Sequence, residues 1–126
     1  MRMLLLAAIL AATPVASTAP AERIDVILSN FDFDPRVVTF RHGERYHLHL
    51  RNASRGGHSF KAQAFFADAS MAQEERAKIS GGKIELDGGE TVDLMLTAPA
   101  TPATYDLKCT HFLHGAFGMT GKIVVQ

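Results

Sequence analysis

The sequence predicts an all-β fold, a β-sandwich of seven or eight strands with one short helix inserted. Short segments in which apolar and polar residues alternate recur along the chain, and glycine, proline, asparagine or aspartate separates them. The single helix-like stretch, residues 68–79, stops at a Gly-Gly pair. Many short strands with regular turn signals are typical of a sandwich of two packed sheets.

The elements follow from this pattern in order. We expect strands or extended segments over residues 23–28, 30–35, 37–41, 46–52, 59–66, 83–86, 90–97, 104–109 and 122–126. Phe31 and Phe33 should share one side of the second segment, and Pro35 should end it or mark a sheet edge. Asp68 or Ser70 should cap the helix. Alternation in the fourth strand separates an inward from an outward set: Tyr46, Leu48 and Leu50 towards the core, and His47, His49 and Arg51 towards solvent.

A targeting segment is expected before the folded domain. A positive start at Arg2 is followed by an apolar run over residues 4–12 and by small residues over 16–21. The run is shorter than the roughly 20 residues that span a bilayer. This pattern is typical of a secretory signal peptide cleaved between Ser17 and Ala21, with an uncleaved anchor as the alternative. We therefore assign residues 1–21 to a signal peptide and residues 22–126 to one periplasmic or secreted domain.

Charge and cysteine usage exclude several classes of protein. Thirteen basic residues balance thirteen acidic ones without forming a basic block, so nucleic acid is not an expected partner. The mature chain has no second long apolar run, so we expect no membrane span in it. We also expect a monomer. Cys109 is the only cysteine and cannot form an internal disulfide. An exported thiol is prone to oxidation unless it is buried or bound to metal.

The strongest functional signal lies near the end of the chain. Cys109, His114 and Met119 follow one another at intervals of five, between two predicted strands. A thiolate, an imidazole and a thioether are the soft ligands that select copper, and a trigonal site of this kind needs a second histidine. His58 supplies it from the end of a glycine-containing loop. The alternative is a structural role for each residue, namely a buried cysteine, a loop histidine and a core methionine that bind no common metal.

These residues resemble the cupredoxins, the small blue-copper proteins of the plastocyanin and azurin type. The resemblance covers essentially the whole mature chain, and the segments that carry it are residues 31–35, Gly43, Asn52, residues 57–60, Tyr105 and residues 109–125. It implies a Greek-key sandwich with one type 1 copper held by His58, Cys109, His114 and Met119. The spacing from cysteine to histidine to methionine is longer than in plastocyanin-like members and is closest to the rusticyanin-like ones.

The resemblance also suggests roles for the neighbours of these ligands. Gly57 precedes the first histidine, as in azurin, where a glycine carbonyl occupies the far axial side. Ser59 is similar to the residue at that position in rusticyanin, and we expect it to contact the ligands. His111 lies two residues after the cysteine, so it is either an alternative ligand or, as we favour, a residue that supports the ligands.

The functional prediction is an exported protein that carries single electrons. Phe112, Leu113 and Phe117 surround His114 with an apolar patch, which would be a docking surface for redox partners. The sequence shows no acid–base pair and no open metal position, so we do not expect an enzyme. Two alternatives stay open: a copper protein for delivery or tolerance, and a metal-free interaction domain. His47 and His49 share a strand face that could bind a surface metal, although solvated histidines are commoner.

Overall fold

The computed structural model describes residues 20–111 and 119–126, and within these ranges it confirms the all-β sandwich. The signal-peptide prediction falls on residues outside them. The described strands are β1 Glu22–Ser29, β2 Asp32–Asp34, β3 Val37–Phe40, β4 Arg45–Asn52, β5 His58–Lys61, β6 Lys83–Leu86, β7 Thr91–Thr97, β8 Ala103–Lys108 and β9 Thr120–Val125. The helices are α1 Gln63–Asp68 and α2 Gln73–Arg76, and neither has the length and apolar character that crossing a membrane requires.

Two mixed sheets make up the sandwich. One contains four strands in the order β2-β1-β4-β7, and the other contains five in the order β3-β9-β8-β5-β6. The β1–β4 and β3–β9 pairs are parallel, whereas the remaining pairs are antiparallel. Parallel neighbours require a crossover connection, so the chain passes repeatedly between the two sheets. The described residues form nine strands rather than seven or eight, and the extended segment expected over residues 30–35 is represented by the three-residue β2, which pairs with β1.

The core lies between the inner faces of the two sheets. Strand β4 shows the predicted alternation, with Tyr46, Leu48 and Leu50 buried and Arg51 exposed. The other strands contribute their alternate residues in the same way. Branched aliphatic side chains of both sheets belong to one buried cluster, with Val26, Leu28 and Leu94 from the four-stranded sheet and Val38, Ile84, Leu107 and Ile123 from the five-stranded one. Burial of these faces from water is the main stabilising term for such a sandwich.

The helix prediction over residues 68–79 is wrong in extent. The backbone of Ser70 pairs with Thr97 through hydrogen bonds of 3.0 and 2.7 Å, and this bridge separates α1 from α2. Neither Asp68 nor Ser70 caps a helix, because α1 begins after Ala62 and α2 after Ala72. Asp68 instead accepts a 2.7 Å hydrogen bond from the hydroxyl of Tyr105, which links α1 to β8.

The extended segment predicted over residues 59–66 is also shorter than expected. Strand β5 ends at Lys61, and α1 follows directly with Phe65 and Phe66 buried. The Phe65 ring lies 4.9 Å from that of Phe40, and the Phe66 ring lies 6.0 Å from that of Phe60. The two aromatic side chains therefore pack into the core from one helical turn, which an alternating strand would not allow.

The predicted pairing of Phe31 and Phe33 on one side is wrong. Phe33 is buried on β2, whereas Phe31 lies in the turn between β1 and β2 with a φ of 68° and is 49% exposed. Because Ser29 pairs with Asp32, residues 30 and 31 form a two-residue hairpin loop and leave the strand alternation. The expectation for Pro35 is confirmed, since it directly follows β2 at the edge of the four-stranded sheet.

Candidate metal centre

Three of the four predicted ligands lie at one end of the sandwich, where three adjacent strands begin or end. His58 opens β5, Cys109 follows β8 and Met119 precedes β9. The antiparallel pairing of β8 with both neighbours brings these positions together, and the Cys109 N–H donates to the carbonyl of Met119 at 3.0 Å. All three side chains are buried. Their approach thus follows from the strand order of the five-stranded sheet.

The imidazole of His58 faces the thiol of Cys109. Nδ1 lies 3.8 Å from Sγ, and both side chains are shielded from solvent. Metal–nitrogen bonds of about 2.0 Å and metal–sulfur bonds of about 2.3 Å, as known for zinc, separate two such atoms by about 3.7 Å at a trigonal angle. The donor pair therefore fits one metal ion. Thiolate and imidazole together are the equatorial donors typical of blue-copper sites.

Ser59 presents two hydrogen-bond donors to the sulfur of Cys109. Its backbone N–H lies 3.4 Å from Cys109 Sγ and its hydroxyl lies 3.8 Å from the same atom. The hydroxyl oxygen accepts from the N–H of Thr110 at 2.8 Å, which fixes its orientation. Hydrogen bonds around a cysteine sulfur tune the redox potential of a copper–thiolate site. Ser59 therefore contacts the sulfur of Cys109 through two donor groups.

The loop before His58 is held by a buried asparagine. The side-chain amide of Asn52 donates to the carbonyls of Gly56, Leu86 and Asp87 at 2.7, 3.0 and 3.1 Å. Its side-chain oxygen accepts from the backbone N–H and the hydroxyl of Ser54 at 2.9 and 2.7 Å. One fully buried side chain thus ties residues 52–57 to the end of β6 and sets where β5 begins.

His111 packs beside the ligand pair. Its ring lies 6.4 Å from the His58 ring, and a Cβ placed on Gly57 would stand 3.1 Å from His111 Cε1. Its Nε2 donates to a Glu85 carboxylate oxygen at 2.9 Å. Partial burial raises the pKa of Glu85, but hydrogen bonds from His111 and Lys83 outweigh this effect and keep that pKa below its usual value. The Nε2 atom is therefore engaged with a carboxylate.

Other predicted residues lie elsewhere or outside the described ranges. His114 and the apolar patch of Phe112, Leu113 and Phe117 fall within residues 112–118, which the structure does not describe. His47 and His49 lie on β4, in the opposite sheet from Cys109.

Sequence reasoning missed the partners of several histidines. Glu85 bonds to His111, and Asp93 contacts both His47 and His49. The alternation of β6 and β7 shows that these carboxylates point outward. Only the sheet topology, however, shows their partners: Asp93 pairs with His49 in the register of β4 and β7, whereas Glu85 pairs with Ser59 and reaches His111 across β5.

Comparison with known proteins agrees with this geometry. Residues 22–126 match the sequence model of a family described as copper-binding proteins of the plastocyanin/azurin family. No curated protein sequence matches the chain significantly.

Similar solved structures include three auracyanins. Reduced auracyanin from Roseiflexus castenholzii has a TM-score of 0.61 and 20% identity, covering 86% of this chain and 99% of its own. Auracyanin B has a TM-score of 0.59 and 20% identity, with coverages of 89% and 94%. Auracyanin A from Chloroflexus aurantiacus, described as a blue copper protein, has a TM-score of 0.55 and 22% identity, with coverages of 82% and 99%. At these identities the structural likeness supports the fold.

Proposed function

Because the chain belongs to the plastocyanin/azurin family of copper-binding proteins, we propose that it is an exported carrier that transfers single electrons between redox partners through one type 1 copper. The observation that carries this proposal is the buried pair of His58 Nδ1 and Cys109 Sγ, 3.8 Å apart at the end of a sandwich of the same fold as the auracyanins. Export rests on the sequence pattern of residues 1–21.

We assign four residues to the metal. His58 and His114 would provide nitrogen donors and Cys109 a sulfur donor, and Met119 would provide a thioether sulfur that binds more weakly. His114 enters the set because of its place between Cys109 and Met119 in the sequence. The burial of Met119 and the bond from the Cys109 N–H to its carbonyl support its assignment. The Gly57 carbonyl would be a further candidate oxygen donor.

The protein contributes to the mechanism by holding the donor atoms in fixed positions and shielding them from water. When bound, copper supplies a one-electron couple between Cu(II) and Cu(I). Strand pairing fixes His58 and Cys109 in the folded chain, so little rearrangement of the donors is needed when the charge of the site changes. The Ser59 N–H and hydroxyl donate towards Sγ and withdraw electron density from the thiolate, which favours the reduced state.

The proposed route for electrons is the apolar patch around His114. Phe112, Leu113 and Phe117 would form a surface that a redox partner covers, and an imidazole edge within it would shorten the path to the metal. We propose an electron carrier rather than an enzyme, in keeping with the match to the plastocyanin/azurin family of copper-binding proteins.

Retention of copper through redox cycles tests this proposal against copper delivery. The copper-loaded protein should be reduced and reoxidised reversibly by one electron, and it should keep its copper in both states in the presence of a competing Cu(I) chelator. Spectroelectrochemistry with metal analysis of the dialysed protein would measure this. Loss of copper to the chelator on each reduction would favour a delivery role instead.

A further inference from the structure

A second cluster of metal-binding side chains lies on the outer face of the four-stranded sheet. His47 and His49 are two residues apart on β4 and therefore share one face. Asp93 on the neighbouring strand β7 pairs with His49 in the antiparallel register. The three residues bring their ligand atoms within 4.8 Å of one another. This face belongs to a different sheet from Cys109.

Both imidazoles converge on one carboxylate oxygen. His47 Nε2 and His49 Nδ1 each lie 2.6 Å from Asp93 Oδ1. The hydrogen bond from His49, followed by that from His47, lowers the pKa of Asp93, so this carboxylate stays ionised at neutral pH. The two histidine side chains are only 30% and 21% exposed, which limits the number of rotamers open to them. The paired strands thus hold the three donors in place before any ligand arrives.

We propose that His47, His49 and Asp93 form a separate binding site for a divalent first-row transition cation. Two imidazole nitrogens and a carboxylate oxygen suit Zn²⁺ and Cu²⁺, which prefer nitrogen and oxygen donors of this kind. Each ring would adopt the tautomer that carries its proton on the other ring nitrogen, Nδ1 of His47 and Nε2 of His49, and the cation would lie between the freed nitrogens and the Asp93 oxygen. The general order of stability places Cu²⁺ above Zn²⁺ at this site.

The neighbouring charges do not prevent cation binding. Arg23 on β1 is held by Asp25, with a shortest separation of 2.8 Å, and Lys78 Nζ is held by Glu75 at 2.9 Å. Each of these cations is therefore compensated by its own carboxylate, although Lys78 also donates to the backbone oxygen of Asp93.

Two further arginines lie on the same strand as the histidines. Arg45 and Arg51 flank them on β4 and are exposed to solvent, where water and salt screen their charge. The negative charge of the Asp93 carboxylate therefore stays beside the two imidazole donors of the cluster.

Titration of the copper-loaded, oxidised protein with Zn²⁺ tests the proposal. Isothermal titration calorimetry should show one further equivalent bound, without loss of the copper already present. His47→Gln and Asp93→Asn should each raise the Kd for Zn²⁺ by roughly tenfold or more, because each removes one of three donors. Replacing Zn²⁺ by Cu²⁺ should lower the Kd by roughly tenfold or more, with an electron paramagnetic resonance signal that shows nitrogen but no thiolate coordination.

Two controls separate this site from the proposed electron-transfer centre. His42→Gln removes another exposed imidazole and should leave the affinity unchanged. Cys109→Ser should bind the same equivalent of Zn²⁺ with the same affinity, even if the electron-carrier proposal fails. The proposal is overturned if no further equivalent binds, or if the affinity of that equivalent is insensitive to both His47→Gln and Asp93→Asn.

Discussion

At the scale of single residues, Met119 sets the redox potential in our account. Its thioether would be a weak axial donor that stabilises Cu(II) slightly. Met119→Leu should therefore keep copper and raise the potential, whereas Met119→Gln, which offers a stronger oxygen donor, should lower it. Cyclic voltammetry of the two variants beside the parent measures both shifts. If neither variant changes the potential, Met119 is not the axial ligand and the Gly57 carbonyl takes its place.

The roles of His111 and His114 can be separated by paired substitutions. The Nε2 atom of His111 is already engaged by Glu85, so His111→Ala should leave the copper chromophore in place with at most a shifted potential. His114→Gly should open a coordination position and change the spectrum, and added imidazole should restore it. Loss of the chromophore in His111→Ala, with His114→Gly unaffected, would reverse this assignment.

Site residues could be predicted from the sequence only where the side chain has a chemistry that is uncommon in proteins. The thiol of Cys109, the imidazole of His58 and the thioether of Met119 are uncommon donors, and their spacing between strands was sufficient to group them. Glu85 and Asp93 could not be found in this way, because surface carboxylates are common. The partner of Asp93 depends on the register between β4 and β7, and that of Glu85 on the order of β8, β5 and β6 in one sheet.

At the scale of elements, the loop from Asn52 to Gly57 positions His58. Asn52→Ala would leave three carbonyl oxygens and the Ser54 donors without this buried partner. Such a loss should lower the free energy of unfolding by about 3 kcal/mol and weaken copper retention. Urea unfolding followed by circular dichroism measures the first effect, and Asn30→Ala in the exposed hairpin turn is the matched control. Equal stability of the two variants would show that the loop does not depend on Asn52.

Strands were predicted well and helices poorly, for a physical reason. Period-two alternation reports directly which face of a strand is buried, and β4 follows it residue by residue. The segment between β5 and β6 shows no comparable pattern in its sequence. Its path depends on Phe65 and Phe66 reaching the core and on the backbone bridge from Ser70 to Thr97, both of which are long-range contacts.

At the scale of the whole molecule, ion pairs on the sheet surfaces make stability depend on acid pH. Hydrogen bonds from His49, Lys122 and Arg23 lower the pKa of Asp93, Asp106 and Asp25, respectively, below the ordinary 3.8. Because a lowered folded-state pKa means that the unfolded chain binds more protons, this contribution is complete above that value and is lost as the pH falls below it.

The free energy of unfolding should therefore decline between about pH 5 and pH 2, with the decline concentrated below the ordinary aspartate pKa. Urea unfolding of the copper-free Cys109→Ser variant measures this without interference from metal release. Asp106→Asn should make the decline shallower, because it removes one of the contributing carboxylates. Constant stability from pH 6 to pH 2.5 would contradict the assignment of these pairs.

The central claim is that Cys109 binds copper as a thiolate at the buried end of the sandwich, and the visible absorption spectrum tests it most directly. The oxidised, copper-loaded protein should show an intense thiolate-to-copper band that disappears on one-electron reduction. Cys109→Ser should lack the band, because a hydroxyl is a poor substitute for a soft thiolate. A protein that holds one equivalent of Cu(II) and is nevertheless colourless would contradict the account.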